Sequence, residues 1–199
     1  MPHFGVLSYR GTGHLNPLIA LSMQLIARGH RVTLFQDPEL AEKVRQYGLE
    51  FFPIEIPAFP GPRQQHMKTD RRKIATSLRE IRNRLNRTTA EMEAFLREYP
   101  VAIRAAGVDT LIMGEISLAG PTVAEMLRLP YFIVSTSIPH NFGWKAPRSI
   151  TPSRSPLEHL QKKLLEVSIL RMTGPIRRSL DRYRRQVGLG PIRRYRSAA

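Results

Sequence analysis

The residues best suited to chemistry in this 199-residue chain are gathered in one short run, Gly11-Thr12-Gly13-His14-Leu15-Asn16-Pro17. It follows the apolar stretch FGVLSY and precedes LIALSMQLIARG, so a strand should end and a helix begin around it. Imidazole, with an unperturbed pKa of about 6.5, takes up and releases a proton near neutrality. A histidine held at a strand tip is therefore a candidate general base. Two other readings of the same residues stand beside it. His14 can simply cap or pack the turn. Alternatively, Gly11 and Gly13 match two of the three glycines of the dinucleotide fingerprint G-x-G-x-x-G, with Asp37 placed after the second strand as a ribose-binding acid. Asn16 occupies the position of the third glycine, and Pro17 puts a ring where close helix packing is needed. The pair suits a helix start instead, with Asn16 as the cap and Pro17 at the first helical position.

The elements around this turn alternate. FGVLSY, HRVTLF and LEFFPIEI read as strands, separated by one helix that ends at Gly29 and a second, PELAEKVRQYG, that closes at Gly48. After the Pro-rich PAFPGP comes a long polar helix whose apolar stripe is Ile74, Leu78, Ile81, Leu85, Met92 and Phe95, interrupted at Thr88. YPVAIRAAG reads as a separate short helix, VDTLIM as a strand, PTVAEMLRL as a helix and YFIVSTS as a strand. Short connections between alternating strands and helices imply a parallel, Rossmann-like sheet flanked by helices. Residues 1–139 form that core in this reading. Residues 140–199 form a Pro- and Arg-rich connection followed by helices over Pro156–Met172 and Pro175–Val187 of the same domain.

Composition narrows the chemistry. Cysteine is absent, which removes disulfides, thiolate metal sites and cysteine nucleophiles, and no metal site is expected. No run approaches the roughly eighteen apolar residues of a membrane span, and the N-terminus has no signal-peptide pattern, so a cytoplasmic protein is expected. The net charge is +15. Its excess falls in residues 62–90 and 140–199, whereas the strand-rich segments are balanced or acidic. Arg177, Arg178, Arg182, Arg184 and Arg185 share one expected helix with Ile176, Leu180 and Tyr183 on its apolar side. This is either a solvated surface helix or one that makes peripheral contact with an anionic membrane. Nucleic acid binding has only the charge to support it.

The passage GHLNPLIALSMQLIARGHRVTLF resembles the first strand-turn-helix-strand of the UDP-sugar-dependent glycosyltransferases of GT-B fold, with their G-H-x-x-P turn and R-G-H-x-V-T second strand. The likeness continues more loosely through AAGVDTLIMGEISLAGPTVAEMLRLPYFIVSTS. AIRAAGVD, AGPTVAEMLRLP and YRRQVGLGPIRR resemble bacterial zeaxanthin-type glucosyltransferases in particular. The resemblance implies the N-terminal, acceptor-side half of a GT-B fold, an inverting transfer of a sugar such as glucose from a UDP-sugar, and His14 as the base that deprotonates an acceptor hydroxyl. It implies no metal and no cofactor beyond the UDP-sugar co-substrate, which is held mainly by a C-terminal donor-binding half. Nothing in this sequence resembles the H-x-G-type motif of that half. The chain is therefore expected to be the acceptor side alone and to need a donor-binding partner half.

The family's aspartate partner for the base falls after TLIM, where this chain has Gly114 followed by Glu115: either the longer Glu115 side chain reaches back to His14 as its partner, or the partner is missing and part of the gain from a positioned base is lost. The acceptor pocket is expected to be bounded by the turn with Gly13 and Asn16, by Phe59 in PAFPGP, by Ser117 in GEISLAGP, and by Ile138, Phe142 and Trp144 around SIPHNFGWK. A small lipophilic alcohol fits such walls. The alternative from another class is a non-catalytic module that binds a hydrophobic ligand or an anionic membrane surface.

Overall fold

The structure, a computed structural model, describes residues 1–55, 78–136 and 173–191. Five parallel strands, β1 (His3–Leu7), β2 (Arg31–Gln36), β3 (Glu50–Pro53), β4 (Thr110–Gly114) and β5 (Tyr131–Val134), form one sheet in the order β3-β2-β1-β4-β5. Helices α1 (Thr12–Ala27), α2 (Ala41–Arg45), α3 (Leu78–Ala106) and α4 (Gly120–Leu127) connect them, and α5 covers residues 173–186.

Strand alternation divides the core between the two faces of the sheet. Val6, Val32, Leu34 and Ile112 point to one face and pack with Leu15, Leu18 and Ile19 of α1 and Val44 of α2. Leu7, Phe35, Leu111 and Met113 point to the other and pack with α3, α4 and Leu180 of α5. The helices that follow β1 and β2 thus lie on one side, and those that follow β3 and β4 on the other. At the centre Gly5 admits no side chain: a Cβ there would meet Leu111 Cδ2 and Val108 Cγ1 at 2.9 Å and Phe35 Cε2 at 3.1 Å.

The amino ends of the strands are closed by polar pairing. His3 is buried, with Nε2 2.8 Å from the Thr33 hydroxyl and Nδ1 3.2 Å from the Gly107 carbonyl. Glu50 accepts two hydrogen bonds from the Arg31 guanidinium, at 3.0 and 2.9 Å, and these hold its carboxyl below the ordinary value.

Three expectations change. α1 begins at Thr12, a full turn before the expected cap, because the N–H groups of His14 and Leu15 both donate to the Gly11 carbonyl at 2.9 Å. Pro17 then lies inside the helix, where it forgoes only the bond to the Gly13 carbonyl. Asn16 caps nothing; its Oδ1 accepts from Lys43 Nζ at 3.0 Å. Second, the long helix and YPVAIRAAG are one element of 29 residues that runs through Pro100. Proline cannot donate to the carbonyl four residues back, here that of Leu96, and the Tyr183 hydroxyl of α5 donates to that oxygen instead, at 2.7 Å. Third, Arg184 is not part of the solvated row. It is buried, and donates to the Gly190 carbonyl at 2.7 Å, the Thr122 hydroxyl at 3.1 Å and the Glu125 carboxylate at 2.6 Å.

Of the expected α3 stripe, Met92 is buried and Phe95 stacks on the fully buried Tyr99, centroids 4.7 Å apart. Ile74 and the side chains of Leu78 and Ile81 lie outside the described residues, as do Pro156–Met172 and PAFPGP from Pro57 onward.

Removing the Tyr183 hydroxyl should leave the Leu96 carbonyl without its donor. Tyr183→Phe is expected to lower the unfolding free energy by about 1–3 kcal/mol. The loss should shrink in a Pro100→Ala background, where residue 100 regains an N–H for Leu96. Urea unfolding of the four proteins checks this, and equal losses in both backgrounds contradict it.

Candidate functional site

In an open parallel sheet ligands bind beyond the carboxyl ends of the strands, where neighbouring strands send their connections to opposite faces. Here that point lies between β1 and β4. Leu7 is in register with Met113, so the two strands end within one residue of each other and the segments that leave them diverge. His14 lies on the segment leaving β1, Glu115 on the segment leaving β4, and Ser135 and Thr136 directly follow β5.

The turn after β1 is shaped by close contact. A Cβ on Gly11 would meet the Tyr9 ring at 3.0 and 3.1 Å, so a side chain there would need the ring to move by a few tenths of an ångström. The Tyr9 ring in turn meets the His14 ring edge-on, centroids 5.8 Å apart and planes at 83°. Among the described residues nothing lies within 4 Å of where a Gly13 Cβ would be. His14 itself is half-buried in the first turn of α1. Its Nδ1 is 2.8 Å from the Thr136 hydroxyl, and among the described residues its Nε2 has no hydrogen-bonding partner.

Glu115 is half-buried. Its backbone N–H donates to the Val134 carbonyl at 3.2 Å, which extends the β4–β5 ladder past the last strand pair, and its carboxylate accepts from the Ser135 hydroxyl. Consecutive hydroxyls at the end of β5 therefore hold the two residues expected to form the catalytic pair, one each. Ser117 is half-buried in the β4–α4 turn, where its N–H donates to the Gly114 carbonyl at 2.9 Å. Asn16 is exposed and paired with Lys43. Phe59, Ile138, Phe142 and Trp144 lie outside the described residues.

Sequence reasoning missed Thr136 and Ser135, and it missed Arg10. The available signal was two hydroxyl residues after the last strand, level with the end of β4. Arg10 leaves the tip of β1 to reach Glu39 at 3.0 Å and Asp37 at 3.5 Å. Asp37 is buried and also caps the turn at Pro38–Leu40 by accepting from the Glu39 N–H at 3.0 Å. Both its oxygens are engaged within the protein, which leaves it poorly placed to hold a ribose. The Gln36 amide ties the same two strands by donating to the Ser8 carbonyl. Glu91 of α3 lies within electrostatic reach of Arg10 and Arg87. Burial pushes its carboxyl above the ordinary value of 4.5, and the two arginines only partly oppose this. Among the described residues no group of three His, Asp or Glu side chains could hold a metal ion.

A doubly wound sheet in this order, with an imidazole at its switch point, defines a Rossmann-like ligand-binding domain. The family model for the glycosyltransferase family 28 N-terminal domain matches residues 6–139, and the chain belongs to that family. It is 28% identical over 153 residues to a zeaxanthin glucosyltransferase of Pantoea ananas, a match covering 76% of this chain and 35% of that protein. It is 30% identical over 151 residues to a sterol 3-beta-glucosyltransferase of Eremothecium gossypii, covering 70% and 11%. The chain thus spans about a third of the first of these relatives and about a tenth of the second. Among solved structures it superposes on the calicheamicin glycosyltransferase with a TM-score of 0.66 at 17% identity, covering 95% of this chain and 43% of that one. For the glycotransferase of kitacinnamycin the TM-score is 0.63 at 19% identity, with coverage of 96% and 42%. The fold is that of the N-terminal half of a GT-B glycosyltransferase.

Because the folded chain holds the Glu91 proton more tightly than the unfolded chain does, this group favours folding most below pH 4.5. The contribution is lost as pH rises through the folded value. Glu91→Gln should therefore flatten that part of the stability curve and unfold at a higher urea concentration than the wild type at neutral pH. Urea midpoints collected across the acid-to-neutral range test this; parallel curves for the two proteins contradict it.

Proposed function

We propose that this chain is the acceptor-binding side of an inverting glycosyltransferase, with His14 as the general base. Nε2 takes the proton of an acceptor hydroxyl. The freed oxygen attacks the anomeric carbon of a UDP-sugar from the face opposite the diphosphate, and the bond to UDP breaks as the new bond forms. The proton then passes from the imidazole to solvent. The observation that carries this reading is the His14 ring at the switch point, anchored through Nδ1 and, among the described residues, with its other nitrogen making no hydrogen bond. Glu115, one residue past the end of β4, is the acidic group of the site, and Gly13 and Ser117 border the space in which the acceptor sits.

Glucose is the proposed sugar and a small lipophilic alcohol the proposed acceptor, on the strength of the two glucosyltransferase relatives. The donor sugar is held by a C-terminal half, so the activity belongs to the two halves together. On this reading residues 1–139 and 140–199 belong to one domain.

A contact with anionic membrane is the second part of the proposal. It is favoured by the outer face of α5, where Arg177, Arg178, Arg182 and Arg185 are exposed while Ile176, Leu180, Tyr183 and Arg184 pack inward. Arg177 is paired with Asp181 at 3.6 Å, which leaves three guanidinium groups to dominate the face. Among the described residues no helix is long and apolar enough to cross a membrane. The contact is peripheral, at a cytoplasmic surface, where a lipophilic acceptor is within reach.

With a donor half from a zeaxanthin-type relative joined to this domain, His14→Ala should lower kcat/KM by about a hundred- to ten-thousandfold with acceptor affinity little changed. Transfer that survives the substitution overturns the base assignment. For α5, each arginine near an anionic surface contributes about 1 kcal/mol. Replacing Arg178, Arg182 and Arg185 with Gln should therefore weaken co-sedimentation with phosphatidylglycerol vesicles by on the order of a hundredfold. Equal binding to neutral vesicles, or a preference for duplex DNA, overturns the membrane assignment.

A further inference from the structure

The contact at His14 Nδ1 is made by a residue with no expected role, Thr136, at 2.8 Å and 122 residues away in sequence. The position is not accidental to the fold. β5 ends at Val134 in register with Gly114 of β4, and the next ladder bond, from the Glu115 N–H to the Val134 carbonyl, keeps the chain on course for one residue more. Ser135 and Thr136 follow. In an extended chain successive side chains point to opposite sides, and here the two hydroxyls divide between the two candidate residues, Ser135 to Glu115 and Thr136 to His14.

A histidine that takes up a proton at Nε2 must carry its own hydrogen on Nδ1. Which nitrogen bears the hydrogen is fixed by what the other groups around the ring accept or donate. At Nδ1 the group is a hydroxyl, which can accept from Nδ1–H or donate to a bare Nδ1; only the first arrangement leaves Nε2 bare to take a proton. The hydroxyl accepts equally well when the ring is neutral and when it is protonated, so the ring goes through the cycle with no heavy atom moving. Among the described residues Nε2 makes no hydrogen bond that would favour the opposite arrangement.

We propose that Thr136 is the positioning residue of His14: its hydroxyl accepts from Nδ1–H, sets the ring in the Nδ1–H tautomer and leaves the Nε2 lone pair open to substrate. This rests on the reading of His14 as a base. Glu115, held by Ser135, then acts elsewhere in the site and not as the direct orienter of the ring.

The test needs only the chain itself. Long-range proton–nitrogen NMR spectra of the nitrogen-labelled protein, with the His14 signals identified by their loss in His14→Gln, read the tautomer directly at a pH where the ring is neutral. The wild type should show a protonated Nδ1 and a bare Nε2. Thr136→Ser should keep that pattern, and Thr136→Val should shift the ring toward the Nε2–H form usual for free histidine. A wild-type ring already in the Nε2–H form overturns the proposal even if Thr136→Val fails to fold. So does a folded Thr136→Val protein with an unchanged pattern. The result is separable from the base assignment: an Nδ1–H ring in a protein whose transfer survives His14→Ala would keep Thr136 as the orienter of the ring and remove only the base role.

Discussion

The register between β1 and β4 is the constraint from which the site follows. Leu7 and Met113 lie side by side, so two adjacent strands end within one residue of each other. One sends its helix to the α1–α2 face and the other to the α3–α4 face. In open sheets, the point where the connections diverge is where ligands bind, and its position is a consequence of chain direction. Its neighbours are then decided by sequence. The first turn of α1 brings His14 to one side, and the first residue past β4 is Glu115. The register itself depends on close packing below, where Gly5 lets Val108, Leu111 and Phe35 approach the backbone of β1 more closely than any side chain would allow.

A second dependence runs from α3 to α5. A 29-residue helix with a proline in its C-terminal third lacks one intrahelical bond, and a buried carbonyl without a donor is costly. The Tyr183 hydroxyl supplies that donor to Leu96, while Arg184 of the same helix bonds to Thr122 and Glu125 on α4. α5 is thus fastened to both helices of one face by polar bonds as well as by Ile176 and Leu180. Its basic character has two separate origins. Arg184 belongs to the interior; Arg178, Arg182 and Arg185 belong to the surface. An arginine with three specific acceptors is exchanged for lysine only with loss, because a single ammonium cannot reproduce the planar fork.

Much of this was legible in the sequence. Strand and helix alternation gave the five strands and their parallel sheet because apolar runs bounded by glycines carry strong local signals. The GHLNP turn pointed to the carboxyl end of β1 for the same reason. What was not legible depends on partners distant in sequence. Asn16-Pro17 has the local form of a helix start, yet the Gly11 carbonyl collects two N–H groups and starts the helix at Thr12. Pro100 has the local form of a helix break, yet a hydroxyl 83 residues later answers for it. Arg184 looks like its neighbours until Thr122 and Glu125 are brought beside it. Thr136 is the strongest case, since its meaning comes entirely from a ring at the other end of the domain.

A hydroxyl beneath the proposed base differs from a carboxylate in what it does for charge. Both hold the ring at a fixed angle. A carboxylate also neutralises the imidazolium that forms when Nε2 takes the acceptor proton, and so helps the proton transfer itself. A threonine leaves that positive charge uncancelled. In a sugar transfer with inversion, negative charge grows on the departing diphosphate as the proton is taken, and an uncancelled imidazolium on the acceptor side would act favourably on it. With His14 as the proposed base, its pairing with Thr136 would give up some help to the proton transfer and retain a positive charge for the leaving group. In such a site the Glu115 carboxylate serves best at a distance from the ring, and its bond to the Ser135 hydroxyl gives it an anchor of its own.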